Sequence, residues 1–477
     1  MTEGYLPIHT NGTPGTVVVT DPKYGAYGDG VHDDTAAIQA AIDAVSDGGT
    51  MYLPPGTYVT SDTLTISNPG VTIRGSGTPF PNSPFTGLAV IAPQSGDYDI
   101  LKAAGTAHHV AIENLVINPS AAMTGGYAIN LAGASSSDYL QQPAVRNIYA
   151  QNVWGGVSTV NVQAGEYRNL IFQGVYGPYG WYATNWTLPY LNFVVVSASA
   201  TNTVAYYWSG NVGSIVAFNV TQDNAAATAN QGFYLNGLAD SDFYSCAVNG
   251  TKNSQIQMVG CADVRWHSVY AYYGQSHGIE IDNSSGIFLL GGEIEANAGS
   301  AVLLDGTTGQ TSGVRISSLI LAASGTGSTA DSGVTLQNNV SQSGVSNCTI
   351  VGNGVWPHGI NDLTTAGPAY NAYSGNTIWN TTSTGINASG SAKITATGNA
   401  GYNPVGPLTA PSIPASGTAQ TNDFPVNVRV FVSGGTVSAI AINGTDTGLT
   451  SGQITLGPGE TITLTYSAAP SWAWLGL

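Results

Sequence analysis

The chain has 477 residues, carries a net charge of −17 with only ten Lys plus Arg, and is 8% charged overall. That length allows a large core and more than one domain. So few cations argue against nucleic acid as a partner and against a strongly anionic polymer, although a local field can override net charge. Low charge with 62 Gly could indicate disorder, but 42% hydrophobic content and regular apolar spacing indicate an all-β repeat protein with tight turns. The three cysteines, Cys246, Cys261 and Cys348, are odd in number and lack metal-ligand spacing with His. Buried thiols are the simpler reading, with a Cys246–Cys261 bridge between neighbouring coils as the alternative. No metal or cofactor is expected.

Residues 1–75 read as a lead-in and cap. The stretch Tyr24 to Tyr58, YGAYGDGVHDDTAAIQAAIDAVSDGGTMYLPPGTY, opens with a Gly-rich turn. Asp33 and Asp34 follow, either of which can accept the free amides of a helix N-terminus. Ile38, Ile42 and Val45 recur at helical spacing, and Asp47-Gly48-Gly49 stops the helix. A strand, Thr50 to Leu53, then runs into the turn Pro54-Pro55-Gly56.

Residues 76–400 hold a repeat. Short apolar strands begin at Phe233, Ile256, Ile279 and Val302; the steps 256−233, 279−256 and 302−279 are each 23. Val334 and Ile360 continue this column. A second column is read at Phe243, Val264, Ile287, Val314 and Val345. Two or three short strands per 23 residues make one coil of a β-helix, and such coils stack because none buries its apolar face alone. About ten coils are expected. Residues 401–425 are Pro-rich and read as a linker. Residues 426–477 alternate apolar and polar with Gly turns, as in a small antiparallel β-sandwich-like domain.

The order GDG, DDT, AIQAAIDA, GGT, LPPGTY resembles the N-terminal cap of the pectate-lyase-like superfamily. That resemblance implies a right-handed parallel β-helix, all-β, and a polysaccharide or oligosaccharide partner. It implies no particular reaction, because the fold hosts lyases, hydrolases and binding proteins. The C-terminal tail SAAPSWAWLGL resembles modules of phage tail spikes and actinobacterial β-helix proteins. Tail-spike resemblance implies a homotrimer; the cap and C-terminal domain suit a monomer equally. The motifs of the polygalacturonate-hydrolysing branch are absent outside the cap, and the cations needed by calcium-dependent lyases are scarce. The start Met1-Thr2-Glu3-Gly4 lacks a basic n-region, and no run of 18 apolar residues occurs. No membrane span is therefore expected. An extracellular protein with its signal removed, or one associated with a virion, fits.

Candidate chemistry centres on outward carboxylates. In Gly278-Ile279-Glu280-Ile281-Asp282, alternation puts both isoleucines inward and both acids outward. In Gly292-Glu293-Ile294-Glu295 both glutamates point outward. The 23-residue step places Tyr270 beside Glu293, Tyr272 beside Glu295 and Asp305 beside Asp282, about 4.8 Å apart. Close carboxylates push one pKa upward and so supply both an acid and a base. Asp242, Asp263 and Asp240 are candidate partners, with His267 and His277 nearby. Tyr234, Tyr244, His267, Tyr270, Tyr272, Trp208 and Trp181 are candidate sugar contacts, the aromatics because exposed rings offer flat faces and polar tips to glycans. A single groove over residues 176–295 is expected. Three readings follow: a glycoside hydrolase, a non-catalytic glycan-binding spike or adhesin, and a polysaccharide lyase using Arg265, His267 or Tyr270.

Overall fold

The computed structural model describes residues 15–80, 84–200, 202–223, 229–323, 331–365, 370–388, 394–403, 406–424 and 426–477. The cap forms as the sequence predicts, with two differences. The helix spans Thr35–Ala44 and buries Ile38, Ala41 and Ile42 against the first coil. It stops before the glycines because Val45 already takes an extended conformation, its N–H bonding back to Ile42 O. Gly49 is needed for a close approach: a Cβ there would meet Val45 Cγ1 at 2.8 Å and Ser46 O at 3.0 Å.

The two acids divide their work. Asp33 accepts the Thr35 amide at 2.9 Å, at the start of the helix. Asp34 makes no side-chain cap; its carboxylate instead accepts the amides of Tyr27 (2.6 Å) and Gly28 (3.0 Å) and locks the Gly-rich turn. A buried acid is tolerated there because both of its oxygens are met by donors.

Beyond the cap the chain is a parallel β-helix. One ladder runs through Thr65, Lys102, Asn130, Ser158, Tyr182, Tyr207, Tyr234, Gln257, Glu280, Leu303, Thr335, Asn361 and Asn387, thirteen coils among the described residues. Twelve of these lie within residues 76–400, against the expected ten, because uneven loops on both sides of the Phe233–Val302 run hide the period. The first sequence column is in register throughout, from Phe233 to Ile360. In the second, Phe243 pairs with Trp266 and Val345 with Ile316, two places further along the strand than expected. Inward side chains fill the bore, including Trp181, Trp186, Trp208, Phe233, Phe243 and Trp266, all fully buried. The three cysteines are buried and free, so the Cys246–Cys261 bridge does not form.

Each coil turns at tight corners made by single residues with positive φ. One corner column is Asn114, Asn147, Asn169, Phe193, Asn219, Ser245, Ser268, Gly291, Ser318 and Asn347. Asn suits the left-handed region, and the ladder is cross-linked: Asn147 Nδ2 donates to Asn114 Oδ1 at 2.8 Å, and Asn169 Nδ2 to Asn147 Oδ1 at 2.9 Å.

At the C-terminus, two four-stranded antiparallel sheets share a core of Val428, Val430, Ile440, Leu456, Leu464 and Trp474. The Pro-rich stretch is partly built into them: Gly406–Leu408 pairs with the last strand and Ala419–Thr421 with Thr461–Ala468. No helix among the described residues is long and apolar enough to cross a membrane.

Candidate functional site

The corners divide the outside of the β-helix into three faces, and the sequence-predicted site residues fall on all three. Within one coil the chain passes from Val264–His267, round Ser268, to Val269–Tyr272, then by a loop to Ile279–Asp282, and round Asn283 and Gly286 into the next coil. The single expected groove is therefore replaced by three parallel strips. Sequence spacing gives the coil to which a residue belongs but not the face, unless every corner is located.

The first face carries Tyr270, Tyr272, Glu293 and Glu295, paired as expected: Tyr270 with Glu293 and Tyr272 with Glu295. Ile294 between the glutamates is fully buried, so both carboxylates leave the same side of the strand. The Tyr272 hydroxyl donates to Glu293 Oε2 at 3.1 Å. Burial, together with the charge and hydrogen bond of Glu293, raises the pKa of Glu295 above the ordinary glutamate value. Burial and the adjacent glutamates likewise raise that of Tyr272. Two glutamates thus stand in contact, and burial with a like charge beside it holds the proton on Glu295, which suits it to act as an acid.

A second face carries Glu280, Asp282 and Tyr234. Glu280 is half-buried and tethered: Ser254 Oγ donates to Oε2 at 2.6 Å and Gln257 Nε2 to Oε1 at 3.2 Å. Asp282 pairs with Asp305 in register but is 93% buried rather than solvent-facing. The loop after Asp305 folds over it, and Thr308 Oγ1 donates to Asp282 Oδ2 at 2.5 Å. Tyr182, Tyr207 and Tyr234 stack one above another, with centroids 5.8 and 5.0 Å apart. Their ring faces are spent on each other, so edges and hydroxyls, not flat platforms, meet solvent. Trp181 and Trp208 are fully buried in the bore and offer no surface to a sugar. Their neighbours Tyr182 and Tyr207 hold the outward phase instead.

The third face carries Asp242, Tyr244, Arg265 and His267. His267 Nε2 lies 3.3 Å from Asp242 Oδ1, and Arg265 NH1 lies 3.5 Å from Asp242 Oδ2. The His267 ring stacks on Tyr244 at 4.5 Å and 5°. Tyr270 is round the corner and does not join them. Asp263 and Asp240 have φ of 54° and 48° and are exposed corner residues, not members of a cleft. His277 lies on a connecting loop, its Nδ1 accepting the Ser300 amide at 3.0 Å.

Sequence reasoning singled out Arg265 but missed the arginine column to which it belongs. Five of the six, Arg74, Arg146, Arg168, Arg265 and Arg315, line this third face. They interleave with Glu113, Glu166 and Asp242: Arg74 pairs with Glu113 at 2.6 Å, and Arg146 with Glu166 at 2.5 Å. The signal was available in their common outward phase, since each stands next to a buried residue of the bore, in one of two register columns two places apart. Among the described residues, no three His, Cys, Asp or Glu converge to hold a metal ion.

Residues 18–228 match the family model for rhamnogalacturonase A/epimerase, pectate lyase-like. Mannuronan C5-epimerase AlgE5 of Azotobacter vinelandii is 54% identical over 55 residues, 11% of this chain and 6% of that protein, so the match spans a small part of the curated relative. Among solved structures, the A-module of AlgE6 from the same organism superposes with a TM-score of 0.54 at 19% identity, over 81% of this chain and 99% of that module. The A-module of AlgE4 gives 0.55 at 17% identity, over 75% and 99%. At these identities the likeness is one of fold.

Proposed function

We propose that this chain, a pectate-lyase-like parallel β-helix protein, is a glycoside hydrolase that cleaves an extracellular or cell-surface polysaccharide with Glu293 and Glu295. The observation that carries this reading is the glutamate pair itself: side by side on one strand, in contact, with the Glu295 proton held more tightly than usual. Glu295 protonates the leaving glycosidic oxygen. Glu293, kept in place by the Tyr272 hydroxyl, acts as the carboxylate that activates water or attacks the sugar. Tyr270 and Tyr272 border the pair and supply apolar edge and hydroxyl contacts.

A second reading is favoured by the Asp242–His267–Arg265 group. An Arg beside a His backed by an Asp can neutralise a uronate carboxylate and remove the proton next to it, the step shared by lyases and C5-epimerases. Similarity to proteins named as mannuronan C5-epimerases supports it. The test is product analysis on a glycan panel with variants of both groups. Reducing ends without absorbance near 235 nm, lost in Glu295→Gln, support hydrolysis. Absorbance, or epimerised product, lost in His267→Ala transfers the chemistry to the third face.

A further inference from the structure

The face that carries Glu293 and Glu295 holds no positive charge. One outward column is continuous in register from Val116 through Tyr270, Glu293 and Ile320 to Thr377, eleven coils in all. A second runs beside it from Asp223 through Tyr272 and Glu295 to Trp379. Asp223, Glu293 and Glu295 are the charged residues of these two columns, and neither column contains a Lys, Arg or His. The cations stand elsewhere: five arginines on the third face and Lys102 on the second. A uronate laid over the two columns would meet glutamates and no counter-charge, so its carboxylate would lose hydration without gaining a partner.

Beyond the glutamates, toward the C-terminus, the floor is made of methyl groups and hydroxyls. Ile320, 45% exposed, and Ala322 are in register with Glu293 and Glu295, and Thr349 and Val351 follow in the next coil. The floor ends at Trp379, 57% exposed, whose register neighbour one coil back is Val351. Tyr182, Tyr207 and Tyr234 on the second face spend their ring faces on each other, whereas no ring precedes Trp379 in its column. Trp379 and Glu295 share that column, three coil steps or about 14 Å apart. We infer that the substrate of the glutamate pair is an uncharged polysaccharide lying along the coil axis over this face, with Trp379 as the platform for a sugar distant from the cleaved bond. Ile320 and Trp379 cover sugar C–H faces, and Thr349 and Thr377 offer hydroxyls. Binding energy gained so far from the reacting bond serves long chains more than short ones. This inference rests on the reading of Glu293 and Glu295 as the reacting pair.

The test is kinetic and uses the full chain. Reducing-end release is measured on neutral glucans and mannans, on polygalacturonate and on polymannuronate, then on size-graded oligosaccharides of the polymer that is cleaved. Cleavage of a neutral polymer, lost in Glu295→Gln, is expected, with rates on the uronate polymers roughly a hundredfold lower. Trp379→Ala is expected to lower kcat/KM about tenfold on long chains, mainly through KM, with the loss declining as the chain shortens and Tm held within about 1 °C. Preferred cleavage of a uronate polymer, still lost in Glu295→Gln, overturns the neutral substrate but spares the glutamate pair. Cleavage of a neutral polymer that Glu295→Gln leaves intact overturns the pair and this inference with it. An equal loss on short and long chains in Trp379→Ala, or none on either, overturns the platform, and a fall in Tm assigns Trp379 to packing instead. Absence of cleavage across the panel overturns both readings.

Discussion

The Tyr272 hydroxyl reaches across one coil step and donates to Glu293 at 3.1 Å, while Glu295, its register partner, lies two residues further along the same strand. One tyrosine therefore distinguishes two otherwise equivalent carboxylates. Glu293 receives that donor, and Glu295 is left with burial and a like charge, both of which favour its proton.

Loss of either glutamate should therefore stop catalysis without unfolding the chain. Glu293→Gln and Glu295→Gln are expected to lower kcat by about 10²–10⁴ with far-UV circular dichroism unchanged. Tyr272→Phe keeps both acids but removes the donor, and a loss of about tenfold is expected.

The pH dependence follows from the raised pKa of Glu295. An acid whose folded pKa lies above its unfolded value contributes stability below the unfolded pKa and loses it as pH rises through the folded one. Glu295→Gln should thus melt about 1–2 °C above wild type at pH 8 and lose that advantage below the ordinary glutamate pKa of 4.5. For wild type, kcat should fall on the alkaline side at a pH above that of an ordinary glutamate.

Trp208 tests the distinction between core and surface aromatics. Trp208→Ala is expected to cost about 3–5 kcal/mol, read as loss of Tm in thermal melts. Tyr207→Phe, one residue away but outward, should leave Tm within about 1 °C.

The arginine ladder should contribute little to stability. Arg146 and Glu166 are partly exposed, and the hydrogen bond from Arg146 holds the Glu166 carboxyl below the usual range. Arg146→Ala is expected to cost no more than about 1 kcal/mol, a cost diminished in high salt. Because Glu166 is depressed, its contribution is present above the unfolded carboxylate pKa and is lost as pH falls through the folded value.

The fold was legible because a β-helix repeats its instructions. The cap motif and the 23-residue step from Phe233 to Val302 placed the strands, and with them the Tyr272–Glu295 and Asp282–Asp305 pairs. What alternation could not supply was the face. Glu280 and Glu293 are 13 residues apart but separated by the corner at Asn283 and Gly286, a strand of the third face and the corner at Gly291. Nor could it foresee that Thr308 would come back over Asp282, since the length of an irregular loop does not fix its path. Trp181 and Trp208 were misread for a related reason: where Tyr and Trp are adjacent, only the register of the buried neighbours decides which ring turns inward.

The most direct test of the glutamate assignment is reducing-end release from a panel of neutral and acidic polysaccharides by wild type, Glu295→Gln and His267→Ala, with absorbance near 235 nm followed in the same cuvettes. New reducing ends without absorbance, abolished in Glu295→Gln and retained in His267→Ala, are the expected result. Full activity in Glu295→Gln, or product that carries the absorbance and disappears in His267→Ala, would contradict it.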